Sequence, residues 1–125
     1  MSIFKTISRK FFHFKDALQF REAIDKAEKA HIKYGPRYYV LPSADGKLVV
    51  VDRKNYRILR RKHYIPQNNK MQDALDGCFY HTAHRNGNGL IPENVRRIKE
   101  EQYFMFKESY RFSKKLMKKS KSKKK

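Results

Sequence analysis

The chain has a single cysteine, Cys78, and only 12 acidic residues among 125. One thiol cannot form an intramolecular disulfide, which excludes the stapled scaffolds of small secreted domains. No apolar run approaches the roughly 20 residues of a membrane span. The N-terminus has no continuous apolar segment of the kind a cleaved secretory signal carries. The expectation is a cytoplasmic protein, or one packaged in a virion from an intracellular pool. The shortage of acids matters most, because 31 lysines and arginines stand against them. The net charge is +19 and the pI is near 10.2.

Aromatic residues are not scarce. Nine Phe and eight Tyr supply enough apolar surface for one core in a chain of this length, so complete disorder is not expected. The last stretch, "SKKLMKKSKSKKK" (113–125), holds 8 lysines and no acid. Without it, residues 1–112 still carry 23 basic against 12 acidic side chains, a net +11. The basicity therefore belongs to the folded part as well as the tail. The organisation expected is one small basic domain over 1–112, then a lysine-rich tail that is disordered when free. Self-repulsion of this size destabilises a compact state, and a polyanion relieves it. Nucleic acid, an acidic protein partner or an anionic membrane surface could each serve.

Apolar periodicity predicts the elements. Ile3, Ile7, Phe11, Phe14 and Leu18 recur at helical spacing among Lys5, Arg9, Lys10 and Lys15. Phe20, Ile24, Ala27, His31 and Tyr34 define a second stripe on another face. Asp16 with Gln19 resembles a capping box between them, so a short first helix is expected, then a second over about 17–34, stopped by Gly35-Pro36. The first of these, basic and aromatic, also fits an interfacial membrane helix; closing the core or docking on a partner chain is the favoured role. "RYYVL" (37–41) and "KLVVV" (47–51), joined by "PSADG", read as a hairpin. Asp52 offers an N-cap to a helix over about 53–63. A further helix runs from Asn69 through Met71, Leu75, Cys78, Phe79 and Thr82 to the turn "RNGNG" (85–89). After Pro92, a last helix places Val95, Ile98, Met105, Phe106, Phe112 and Leu116 on one face. Beyond Lys118 the like charges predict an extended tail. The fold class expected is α+β and mainly helical, one hairpin packed on about four helices.

The densest charge lies in "VDRKNYRILRRKHYI" (51–65). At about 100° per residue, Tyr56, Leu59 and His63 form a packing face. Arg53, Lys54, Arg57, Arg60 and Arg61 share an arc of about 120° on the other side. A cationic stripe on an anchored helix suits a phosphate backbone or a groove. A well-solvated helix face is the alternative. Lys114, Lys115, Lys118 and Lys119 of the tail are expected to add phosphate contacts. Asn55 near the stripe could read adenine, and Tyr38 or Tyr39 could stack on a base. More often one tyrosine of such a pair is core. No zinc-finger, homeodomain or RNP pattern is present, so affinity without strong specificity is expected. The segment "RYYVLPSADGKLVVVDRKNYRILRRKHYI" (37–65) resembles small basic proteins of gut Bacteroides-type bacteria and their phages. That resemblance implies an accessory protein of a phage or mobile element, and carries over no activity and no site residues.

Catalytic constellations are weak. Cys78, His81 and His84 are spaced by three, but on a helix Cys78 and His84 would point about 120° apart, which does not converge on one tetrahedral ion. A Cys78–His81 nucleophile would lack an orienting group and oxyanion donors. Glu22, Asp25 and Glu28 sit among Arg21, Lys26 and Lys29, which suits surface ion pairs. "RNGNG" lacks the Lys-Ser/Thr ending of a P-loop. The expectation is a non-enzymatic protein without cofactor or metal, binding DNA or RNA by electrostatics. The competing expectation is a structural protein, for example a virion component, that meets an acidic partner.

Overall fold

The computed structural model describes the backbone of residues 3–43, 45–62 and 71–123, and the side chains of 10–43, 45–62 and 74–118. Helix α1 (Ile3–Tyr34) leads into strands β1 (Tyr38–Pro42) and β2 (Leu48–Asp52). Helices α2 (Arg53–Arg61) and α3 (Met71–Gly77), strand β3 (Tyr80–His81) and helix α4 (Glu93–Lys123) follow. The fold is α+β and mainly helical, with the expected hairpin at its centre.

The hairpin pairs Val40 with Val50 and Tyr38 with Asp52. Its turn is closed by Gly46, whose N–H donates to the Ser43 carbonyl at 3.1 Å and whose φ is 81°. The Tyr110 ring occupies the space a Cβ would need there. Strand β3 adds to the other edge of β1, giving the order β2–β1–β3. That strand lies where the sequence predicts helix. The helix expected from Asn69 to the turn at 85 ends at Gly77, and Asn69 itself lies outside the described residues. The Phe79 N–H then donates to Val40 at 2.9 Å and the Thr82 N–H to Tyr38 at 2.9 Å. Pairing with an exposed strand edge overrides the helical spacing of Cys78, Phe79 and Thr82.

Both faces of the sheet are covered. Tyr38, Val40 and Tyr80, with Leu48 and Val50 beside them, pack on Phe20 and Ala27 of α1 and Tyr103 of α4. Tyr39, Leu41 and Val51 pack on Tyr56 of α2 and on Ala74 and Cys78 at α3. The result is three layers, α1 with α4, then the sheet, then α2 with α3. Central β1 is buried at Tyr38, Tyr39, Val40 and Leu41, which is why "YYVL" reads as a continuous apolar run instead of an alternating one.

Helix α1 is continuous through Asp16, where two helices are expected. Asp16 is not a cap: it is 3% exposed and takes both ends of the Arg111 guanidinium, at 3.1 and 2.8 Å. Phe20 and Ala27 face the core as the second stripe predicts. The described side chains of the first stripe, Phe11, Phe14 and Leu18, are exposed. At the C-terminus, Gly35 takes φ 99° and donates to the His31 carbonyl at 2.8 Å, the left-handed stop that Gly-Pro implies.

Helix α4 differs most from its expected orientation. Ile98, Met105, Phe112 and Leu116 are exposed, and Phe106 alone of the expected face packs against the main core. The inward row is Lys99, Tyr103, Lys107 and Arg111, spaced by four. Lys99 donates to the carbonyls of Leu75 and Cys78 at 3.2 and 2.8 Å. Tyr103 donates to the Asp16 carbonyl at 2.6 Å, and Lys107 to Gly46 at 2.8 Å. Each buried cation has an acceptor, and the aliphatic stems pack as apolar surface. The helix runs through Lys123, where an extended tail and a boundary at residue 112 are expected. Lysine is a good helix former, and cations suit a helix C-terminus.

Candidate nucleic-acid interface

Asp52 ends β2 and starts α2. Its Oδ1 accepts the Asn55 N–H at 2.8 Å, with extended backbone at Asp52, as an N-cap requires. Tyr56 is 2% exposed in the core between sheet and α2, and Leu59 packs beside it. His63, the third expected anchor, lies outside the described residues. Two anchored side chains on a nine-residue helix fix its rotation, and the rotation decides which cations face solvent.

Arg53, Lys54, Arg57 and Arg61 are exposed, and Arg60 is half-buried with an interaction of its own. Arg97 pairs with Glu93, and Arg111 with Asp16. The four exposed cations of α2 take part in neither. Asn55 is exposed on the same helix. The structure thus brings together four of the five stripe residues as expected, with Arg60 turned partly inward. Lys114, Lys115 and Lys118 are exposed on α4; the side chain of Lys119 lies outside the described residues. These lysines are not part of the same patch, because α2 and α4 cover opposite faces of the sheet.

The other nucleic-acid contacts that the sequence allows, stacking by the tyrosines and a phosphate cradle at the glycine turn, take their less active alternatives. Tyr38 and Tyr39 are both 8% exposed, one facing each layer, so neither ring is free to stack on a base. The "RNGNG" turn closes on itself. His84 N–H donates to Asn88 at 2.7 Å and Gly87 N–H to His84 at 2.9 Å. The Asn88 N–H donates to Asn86 Oδ1 at 3.0 Å. Arg37 donates to the Gly89 carbonyl at 2.8 Å.

The Cys78, His81 and His84 set is dispersed, though not by the helix that the spacing implied. Cys78 is fully buried at the end of α3, His81 is 8% exposed on β3, and His84 is exposed. The Cys78 thiol donates to Leu75 at 3.2 Å. Burial pushes that thiol up, outweighing the Lys99 ammonium 3.7 Å from Sγ, so it stays protonated at neutral pH. Burial also lowers the His81 imidazole, against the pull of the Thr82 carbonyl 2.9 Å from Nδ1. Among the described residues, no group of three or more His, Cys, Asp or Glu is gathered to hold a metal ion, and no helix is long and apolar enough to cross a membrane.

Sequence reasoning missed the inward row of α4. Its only signal is the four-residue spacing of Lys99, Tyr103, Lys107 and Arg111, which looks like ordinary surface charge. The acids were also misread in part: Glu28 accepts the Tyr80 hydroxyl at 2.5 Å instead of serving a surface ion pair. That bond, after burial, helps push the Tyr80 phenol up to about 12.

The chain matches no protein-family model, and neither a curated protein nor a solved structure matches it.

Proposed function

We propose that the protein binds nucleic acid electrostatically and without catalysis, as a cytoplasmic or virion-packaged accessory protein of a bacterium, phage or mobile element. The observation that carries this reading is the exposed row Arg53, Lys54, Arg57 and Arg61 on a helix whose rotation is set by Tyr56 and Leu59. Successive members of the i, i+4 series lie one turn apart, about 6 Å along the axis. That spacing is close to the separation of successive phosphates along a strand. Helix α2 positions the backbone, and Lys114, Lys115 and Lys118 add attraction from the other side of the sheet. Asn55, exposed on the same helix but outside the arc of the stripe, carries both a donor and an acceptor for a base edge. The binding is therefore strong in low salt and weakly selective.

The test is direct. Protein purified without nuclease should carry a high 260/280 nm absorbance ratio that nuclease removes. The Arg53→Gln, Arg57→Gln, Arg61→Gln triple variant should lose most of that excess while melting like the parent. A parent free of nucleic acid that fails to bind DNA and RNA in low salt would overturn the reading.

A second reading has its own observation. Phe11 and Phe14 are 60% and 69% exposed on the outer side of α1, with Leu18 beside them. A structural protein that docks an acidic partner on this basic, aromatic helix would use that face. Such a protein would keep its partner after nuclease treatment, and substitution in α2 would not release it.

A further inference from the structure

The outer side of α4 carries an uncharged seam. Ile98, Gln102, Met105, Ser109, Phe112 and Leu116 follow one another at steps of four, three, four, three and four. All six are exposed; Met105 and Phe112 are each 65% exposed. At about 100° per residue they share an arc of roughly 80° facing away from buried Tyr103. Every charged residue between 98 and 116 falls outside it. A 3-4 alternation of uncharged positions between charged flanks is the pattern of a helix that packs along a second helix.

We propose that this seam pairs with the same seam of a second copy, antiparallel, to form a homodimer. Charge fixes both the occupant and the direction. The seam is flanked by Glu101, Glu108 and Lys115, all exposed. In an antiparallel pair centred near residues 107–108, Glu101 of each copy meets Lys115 of the other, two attractive contacts against the single approach of Glu108 to its own copy at the centre. Ile98 then meets Leu116, apolar against apolar, while Gln102 meets Phe112 and Met105 meets Ser109, large against polar. A parallel pair would stack Phe112 on Phe112 and lay two lysine-rich ends side by side. The antiparallel pair separates those ends by the seam's length of about 27 Å, well beyond a Debye length of about 8 Å at physiological salt. The flanking acids also argue against anionic lipid as the occupant.

The seam spans fewer than three heptads and joins two strongly cationic chains, so association is weak and is promoted by salt, which screens their repulsion. That dependence is opposite to the one expected for nucleic-acid binding, so the two readings fail separately. The test is sedimentation equilibrium of the full, nuclease-treated chain in reducing buffer over a range of concentrations. The weight-average mass should rise from 15.1 kDa toward twice that value, further at high salt. Met105→Glu with Phe112→Glu, both at exposed positions, should remain at monomer mass with the parent's melting temperature. Glu101→Lys should weaken association, and adding Lys115→Glu should restore it. A parent that stays monomeric at the highest concentration and salt overturns the proposal, as does undiminished dimerisation of either the double-glutamate or the Glu101→Lys variant.

Discussion

Arg111 donates both ends of its guanidinium to Asp16, at 3.1 and 2.8 Å, and so ties α1 to α4 across 95 residues of chain. The same guanidinium lies over the Phe12 ring, 4.7 Å from its centroid. The Asp16 side chain is 4% exposed and that of Arg111 is 27% exposed, so the pair is shielded from water on one side. Removing Arg111 would strand a buried carboxylate. Arg111→Met should destabilise the fold by an amount near the lower end of the roughly 3–5 kcal/mol typical of breaking a buried pair. Asp16→Asn, which keeps an acceptor for Arg111, should cost less. Thermal melts of the two variants check the order. Equal stability of Arg111→Met and parent would contradict it.

The junction between hairpin and basic helix makes a second prediction. Asp52 accepts the Asn55 N–H, and its carboxylate is the acid nearest in sequence to the cationic stripe. Asp52→Ala should cost about 1 kcal/mol through loss of the cap. Asp52→Asn should retain most of that stability and bind nucleic acid at least as tightly as the parent. Denaturant melts and binding titrations separate the two effects. Weaker binding by a stable Asp52→Asn variant would show that the carboxylate has a role beyond capping.

Acid sensitivity should pass partly through His81. Burial holds its folded-state proton affinity below that of the unfolded chain, so unfolding takes up a proton below the ordinary histidine value of about 6.5. The stabilisation from keeping His81 neutral is complete above that value and is lost as pH falls toward the folded-state value. Melting temperature should therefore decline as pH falls below about 6.5. His81→Gln should reduce the decline. An identical profile for parent and His81→Gln would assign the acid sensitivity elsewhere.

Much of the fold was legible because local chemistry and tertiary packing agree there. The hairpin, the Asp52 cap, the Gly35 stop and the Tyr56–Leu59 anchor all follow from turn residues and spacing. Strand β3 was not legible, because two residues that pair with an edge carry no period of their own. The orientation of α4 was missed for a different reason. Its inward row is polar, and a pattern reading assigns polar residues to solvent, yet Lys99, Lys107 and Arg111 each find a carbonyl or carboxylate. The same assumption turned the face of Met105 and Phe112 inward, and both are exposed; Phe11 and Phe14, expected either to close the core or to dock on a partner chain, are exposed as well. For the candidate site, the exposed cations of α2 could be read from helical geometry. The separation of the C-terminal lysines from them could not, since only the sheet places α2 and α4 on opposite sides.

The most direct measurement is the salt dependence of duplex DNA binding by the parent and by the Arg53→Gln, Arg57→Gln, Arg61→Gln variant, read by fluorescence anisotropy. Each neutralised phosphate contributes about −0.9 to the slope of log affinity against log salt. The three arginines together should account for up to about 2.7 of the parent's slope. The variant should bind more weakly at low salt, with a slope flatter by roughly that amount and an unchanged melting temperature. A variant with the parent's affinity and the parent's slope would contradict the claim that α2 lies on the phosphate backbone.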